Sequence, residues 1–174
     1  MSQTKLLQRE ILLDAYATLD RTTPLTVDCG LLCKQSCCRG DDDAGMLLLP
    51  GEADLLAGEE GYRFLSNDDA TLLICSGSCN RSRRPFACRI FPLFPLVSCD
   101  ADGRYSIRLI LDPRGYSLCP LARSGLPLRG IFRYLVRRAT RVLLQDHDIA
   151  SWLLEHSAFI TALEDIRLTH RHHL

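Results

Sequence analysis

Eight thiols in two groups set the terms on which this chain can fold. Four of its nine cysteines fall within ten residues, written CGLLCKQSCC from Cys29 to Cys38, and Cys75, Cys79, Cys88 and Cys119 follow downstream. Thiols clustered this way in an otherwise ordinary sequence leave three readings: disulfides, a redox centre or bound metal. Nine cysteines in 174 residues fall short of the roughly 8–10% that marks a small disulfide scaffold, and a chain of this length can bury an apolar core without staples. The opening segment MSQTKLLQREILLDAYATLD carries charges throughout and lacks the apolar stretch of a signal peptide, and no run approaches 18 apolar residues. A soluble, cytoplasmic protein is expected, and in that compartment thiols stay reduced, so metal or catalysis ranks ahead of disulfides.

Lys plus Arg and Asp plus Glu both number 21, a formal charge of zero that speaks against general nucleic-acid or membrane-surface binding. That count treats every cysteine as neutral, whereas eight metal-bound thiolates would add eight negative charges, only partly offset by the metal.

The expected architecture is α+β: a small, metal-stapled single domain over 1–174, with short antiparallel strands, short helices and a C-terminal helical hairpin. Residues 4–19 show an amphipathic pattern, with Leu7, Ile11 and Ala15 on one stripe and Leu12, Tyr16 and Leu19 beside it. Pro24 bars easy continuation. After the first cysteine cluster, RGDDDAG reads as a surface loop, and Pro50 and Gly51 open a short helix that ends near Gly58 or Gly61. Strands are expected at 62–65, 71–75 and 105–112, the last paired with LFPLVSC across the turn DADG at 100–103. From Leu128 the period turns helical: Leu128, Ile131, Phe132, Leu135, Val136, Ala139, Val142 and Leu143 face inward, and Arg129, Arg133, Arg137 and Arg141 form a separate stripe. A second helix begins near Asp148 as N-cap and buries Ile149, Trp152, Leu153, His156, Phe159, Ile160 and Leu163. The metal-binding core is expected over 29–120, with the hairpin at 128–165 packed on it.

Cys29, Cys33 and Cys37 are four residues apart, so on a helix they would form one thiol stripe drifting about 40° per step, and in a looser turn they could still converge. Cys37 and Cys38 are adjacent and so expected to point in different directions. The vicinal pair suits two metals or a cluster better than one tetrahedral site. Thiolate is the ligand of choice for zinc and for iron–sulfur centres. Downstream, ICSGSCNRSRRPFACRIFP places Pro85 at the first turn of a short helix that carries Cys88 and ends before Pro92. Arg81, Arg83, Arg84 and Arg89 surround these thiols, and cations there lower thiol pKa values and balance thiolate charge. Arg84 and Arg89, flanking the cysteine helix, are the two expected at the site. Cys119 precedes Pro120. Cys99 lies in an apolar run and reads as a small buried hydrophobe outside the set.

These residues carry a resemblance. CGLLCKQSCC, LLLPGEADLL, a cysteine pair, RRPFACRIFPL and a Cys-Pro step together resemble the YkgJ-type cysteine-cluster family, over roughly 29–120. The string RP-x-x-CR-x-FP, Arg84 to Pro92, is its most specific piece. The resemblance implies zinc or iron chelated by eight cysteines, which by motif are Cys29, Cys33, Cys37, Cys38, Cys75, Cys79, Cys88 and Cys119. It departs in spacing, since the family's first cluster is nearer CxxCxxCC, and in Leu121, where a glycine is common. It lends no general activity, although some relatives are linked to lysine methylation of flagellin. Glu52 also resembles a family position, but a first-turn glutamate is what any helix prefers.

Other features carry less. Asp41, Asp42 and Asp43 lack the alternating ligand spacing of a calcium loop, and His170, His172 and His173 read as a frayed tail. The radical-SAM spacing C-x3-C-x2-C, a glycine-rich phosphate loop, HExxH, a nucleophile elbow and a redox CxxC pair are all missing from the sequence. Two functions stay open: a metal-binding protein whose zinc or iron centre is closed by eight thiolates, and an iron–sulfur enzyme of redox or protein-methylation type. Metal ions are the expected partners.

Overall fold

The computed structural model describes residues 3–38, 45–66, 70–77 and 80–171, without the side chains of 170 and 171. Asp41–Asp43, Cys79 and the three C-terminal histidine side chains lie outside the described residues. The expected α+β architecture is present, with short antiparallel strands, short helices and two C-terminal helices packed on the rest.

Helix α1 (Gln3–Leu19) buries Ile11, Leu12, Ala15, Tyr16 and Leu19. Leu7, expected on the same stripe, is exposed. The partner that covers this face is α6 (Gly130–Leu143), which runs antiparallel to it. Gln8 donates from Nε2 to Asp146 Oδ1 just past the end of α6, so α6 ends at about this level of α1. At the other end the Arg129 N–H donates to Pro24 O, fixing where α6 starts. Phe132, Val136, Ala139 and Leu143 are fully enclosed along this seam, while Ile131, one residue out of phase with Phe132, is exposed and not inward as expected.

Two small sheets complete the scaffold. In the first, β3 (Thr71–Cys75) lies between β1 (Met46–Leu47) and β2 (Tyr62–Ser66), antiparallel to both. The second is the hairpin of β4 (Leu93–Cys99) and β5 (Tyr105–Leu111), with Leu93 opposite Leu111 and Cys99 opposite Tyr105. Asp100 Oδ1 accepts from the N–H groups of Asp102 and Arg104, and Gly103 takes a left-handed φ of 78°, so the turn residues close the hairpin as their types require. The hairpin tip is open to solvent on both strands, which leaves Cys99 exposed, contrary to the buried role expected for it.

Helix α7 (His147–Arg171) packs across β4. Its cap is Asp146, whose Oδ1 accepts from the Ile149 N–H, so Asp148 sits inside the first turn and not at the N-cap. Ile149, Leu153 and Ile160 are buried, and Phe159, 100° around the helix from Ile160, is exposed where burial was expected. Ser157 links helix to strand: its Oγ donates to Leu153 O and accepts from the buried Val97 N–H at 2.8 Å. Ser157→Ala strips that amide of its acceptor, an expected loss of about 1–3 kcal/mol. Urea unfolding checks it, and a loss below about 0.5 kcal/mol would show that the amide finds another partner.

The main apolar cluster draws on α1, Leu49, β4, α6, α7 and the short helix Phe86–Ile90, and contains no cysteine. A smaller one gathers Cys119, Leu121 and Ala122, with Leu25, Cys29 and Phe91 against it. The thiols therefore sit beside the core and not within it.

Candidate metal centre

Three separated segments build the site. Asp28 caps α2 (Cys29–Cys33), its Oδ1 accepting from the Gly30 N–H at 2.9 Å. The helix stops at once, because Lys34 and Gln35 both take left-handed backbone angles, φ 50° and 57°. A non-glycine residue there costs about 1–2 kcal/mol. The reversal is held by Gln35 N–H to Gly30 O at 2.9 Å and Ser36 Oγ to Cys33 O at 2.6 Å, and a 3-10 turn over Ser36–Cys38 follows. Of the two arrangements open to this segment, the chain takes the looser turn, which brings Cys37 and Cys38 back towards Cys29 and Cys33.

The second segment is α4 (Phe86–Ile90), which carries Cys88 as expected, with Pro85 at its N-cap position and not in its first turn. The third is α5 (Pro120–Ser124), whose N-cap residue is Cys119. The Cys119 N–H donates to Gly115 O at 2.7 Å, and its side chain is buried against Cys29.

Cys29, Cys33, Cys37, Cys38, Cys88 and Cys119 line one cavity of about 110 Å³, together with Arg81, Arg84 and Arg89. Among the described residues Cys75 is the one predicted ligand that does not line it. It ends β3, and the turn behind it comes close: a Cβ placed on Gly77 would lie 3.5 Å from Cys38 O. No three Cys, His, Asp or Glu side chains among the described residues are drawn tightly enough to form a ready-made metal cage. The thiols are gathered in one wall but not closed on a centre.

Adjacency does not separate Cys37 from Cys38 as expected. The 3-10 turn aims both at the cavity, and the Cys37 thiol donates to Cys38 sulfur. That hydrogen bond is the largest cause of opposite shifts: Cys37 is pushed well above its ordinary value, with burial adding to the rise, and Cys38 is lowered to about 6, with Arg84 helping against burial. Burial also raises Cys29, followed by the neighbouring Cys33, Asp28 and Cys119 charges. One thiolate is thus stable here without a metal, and further ones repel it.

The arginines divide by task. Arg83 pairs with Glu59 at 2.7 Å on the surface. Arg81 donates to the carbonyls of Asp20 and Thr22, tying its loop to the end of α1. Arg89 is buried, donates to Arg84 O and Ser82 O at 2.7 Å each, and lies 4.1 Å over the Tyr16 ring. Arg84 is the cation that acts on Cys29 and Cys38.

Glu52, which by sequence resembles a family position and also suits any helix start, does stand in a first turn but has a larger role. It starts α3 (Glu52–Leu56), is 0% exposed, and accepts from Tyr16 Oη at 2.5 Å, Leu49 N at 2.8 Å and Phe86 N at 2.6 Å. One carboxylate thereby joins α1, the LLLP segment and the first residue of the Cys88 helix. The available signal was its position: the first acid after the apolar run MLLLP. Its partner Tyr16 had been assigned only to the apolar stripe.

No family model, no curated protein and no solved structure matches this chain.

Proposed function

We propose that the thiol-lined cavity is a cysteine-ligated centre for zinc or iron, held by Cys29, Cys33, Cys37, Cys38, Cys88 and Cys119, with Cys75 and Cys79 supplying the remaining donors. The observation that carries this reading is that six thiols from segments up to 90 residues apart line one cavity beside three arginines. Soft thiolates suit zinc and iron–sulfur iron, and the guanidinium groups offset the excess negative charge such a donor set carries. The resemblance to YkgJ-type cysteine-cluster proteins points the same way. A zinc ion would lend folding energy, whereas an iron–sulfur cluster would lend electron transfer. The second form is favoured by one specific arrangement, the Cys37–Cys38 pair with Arg84 beside it, and it keeps open an enzyme of redox or protein-methylation type. A cytoplasmic setting belongs to the proposal, and no helix among the described residues is long and apolar enough to cross a membrane.

Anaerobic purification followed by metal analysis, sulfide assay and a visible spectrum tests the reading. A colourless protein with about two zinc ions per chain, or a brown one with iron and inorganic sulfide, supports a thiolate centre and decides its form. Metal below about 0.2 equivalents after growth with added zinc and iron rejects it, as does full occupancy in a Cys29→Ser, Cys88→Ser variant.

A further inference from the structure

A formal charge of zero hides a segregation of charge along the chain. Between Asp112 and Asp146 there is no carboxylate residue, yet seven of the 21 basic residues fall there. Five of these lie on α6 or at its N-cap, and the helix itself contains no Asp or Glu. At 100° per residue, Arg137, Arg138 and Arg141 fall on the side of α6 away from Phe132, Val136 and Leu143, with Tyr134 in their midst and Arg133 on the flank. Tyr134 is 55% exposed. Among the described residues no ion pair involves any of these arginines, whereas Arg83, Arg89, Arg104, Arg114 and Arg167 all have one.

This face opposes helix stability. Arg129, Arg133, Arg137 and Arg141 repel as successive i,i+4 neighbours, and Arg133 stands in the first turn, where the helix dipole disfavours a cation. An open cavity of about 300 Å³ lies at the N-terminal end of α6, where Thr18, Asp20, Arg21, Thr22 and Arg129 stand beside the apolar Ala17, Ile131 and Leu135. Asp20 is the one carboxylate in its wall and faces Arg89 at 3.7 Å. Thr22 is 3% exposed, and its Oγ1 is a buried side-chain atom with no hydrogen-bond partner.

We propose that the outer face of α6, with this cavity at its end, binds a single strand of nucleic acid through its phosphates. Guanidinium forks match phosphate oxygens, an uninterrupted cationic row tracks a polyanionic backbone, and Tyr134 offers a base a ring to stack on. Arg21 and Arg129 offer guanidinium groups to one phosphate at this terminal cavity. Insertion of this helix into a lipid surface is disfavoured, because its apolar face is already spent on α1. The site is separate from the thiol cavity and does not rest on its metal.

Fluorescence anisotropy of the full-length, metal-loaded protein with labelled 20-nucleotide single-stranded RNA and DNA tests the proposal between 50 and 300 mM salt. A Kd of about 10⁻⁵ M is expected at low salt, with log K falling against log salt at a slope of roughly −3, the release expected for four phosphate contacts. Changing Arg133, Arg137, Arg138 and Arg141 together to Gln weakens binding at least tenfold and flattens the slope, while the four Lys replacements retain it. Tyr134→Ala weakens binding several-fold at unchanged slope. Circular dichroism shows whether each variant is folded. The proposal is overturned if the wild type binds neither oligonucleotide, if the folded Gln variant binds as well as wild type, or if a poly-glutamate peptide or anionic vesicles bind this face in preference to the strands.

Discussion

Glu52→Ala is expected to cost the chain a large share of its stability. The substitution removes one side chain but orphans three donors, the Tyr16 hydroxyl and the N–H groups of Leu49 and Phe86, all in the interior. Each buried donor left without an acceptor costs about 1–3 kcal/mol, so a loss of roughly 3–9 kcal/mol is expected against a typical total of 5–15. Urea denaturation followed by circular dichroism measures it. Glu52→Gln keeps one carbonyl oxygen but turns a donor towards donors, and should fall about midway. A loss under 1 kcal/mol for Glu52→Ala would mean that water fills the space and satisfies all three groups.

The same residue gives stability a pH dependence of definite sign. Burial raises the Glu52 carboxyl above its ordinary value of 4.5, outweighing its hydrogen bonds and the Arg89 charge, which pull it down. An acid whose native pKa exceeds its unfolded one binds more protons in the native state across that window. Its contribution is therefore full at low pH and declines as pH rises from about 4.5 through the native value. Glu52→Gln should remove that decline from the pH profile of the urea midpoint.

Much of the scaffold was readable because it rests on periodicity. Phe132, Val136, Ala139 and Leu143 recur at helical spacing and are all enclosed, and the DADG turn carries the residues its geometry demands. What periodicity cannot give is where a neighbouring element stops. Leu7 and the hairpin-tip Cys99 are exposed because their stripes outrun what covers them, a fact about α6 and α7 rather than about their own segments. The thiol segments were identifiable by residue type, but their approach depends on two left-handed residues, Lys34 and Gln35, whose types carry no turn signal. Glu52 shows a third limit: the sequence leaves it between a family position and a common helix-start preference, because its partners, 34 and 36 residues away, leave no trace in its neighbourhood.

Stripping the proposed metal should loosen the cysteine segments without unfolding the protein. Small zinc domains fold only with metal because they have too little else to bury. Here the main core contains no cysteine and draws on α1, β4, α6 and α7, so it persists on its own apolar contacts. The segments that would lose a tie are 28–38 and 115–124, which meet 81–91 at the cavity and are otherwise held by the small cluster around Cys119, whereas 81–91 is also anchored by Phe86 and Ile90 in the main core. Without a metal, the raised Cys29 and Cys37 thiols stay protonated, and the two strained residues at Lys34 and Gln35 can relax. Hydrogen exchange before and after anaerobic chelation reads this directly. Amides of 30–38 and 119–124 should lose at least a hundredfold of protection, while those of α6 between Val136 and Leu143 change by less than tenfold. Global loss of protection would make the centre the keystone of the whole fold. Unchanged protection at 30–38 in a protein shown to have held metal would mean that the metal sits elsewhere. The two devices would then have different tasks: the carboxylate holds the scaffold together, and the thiols respond to the proposed metal.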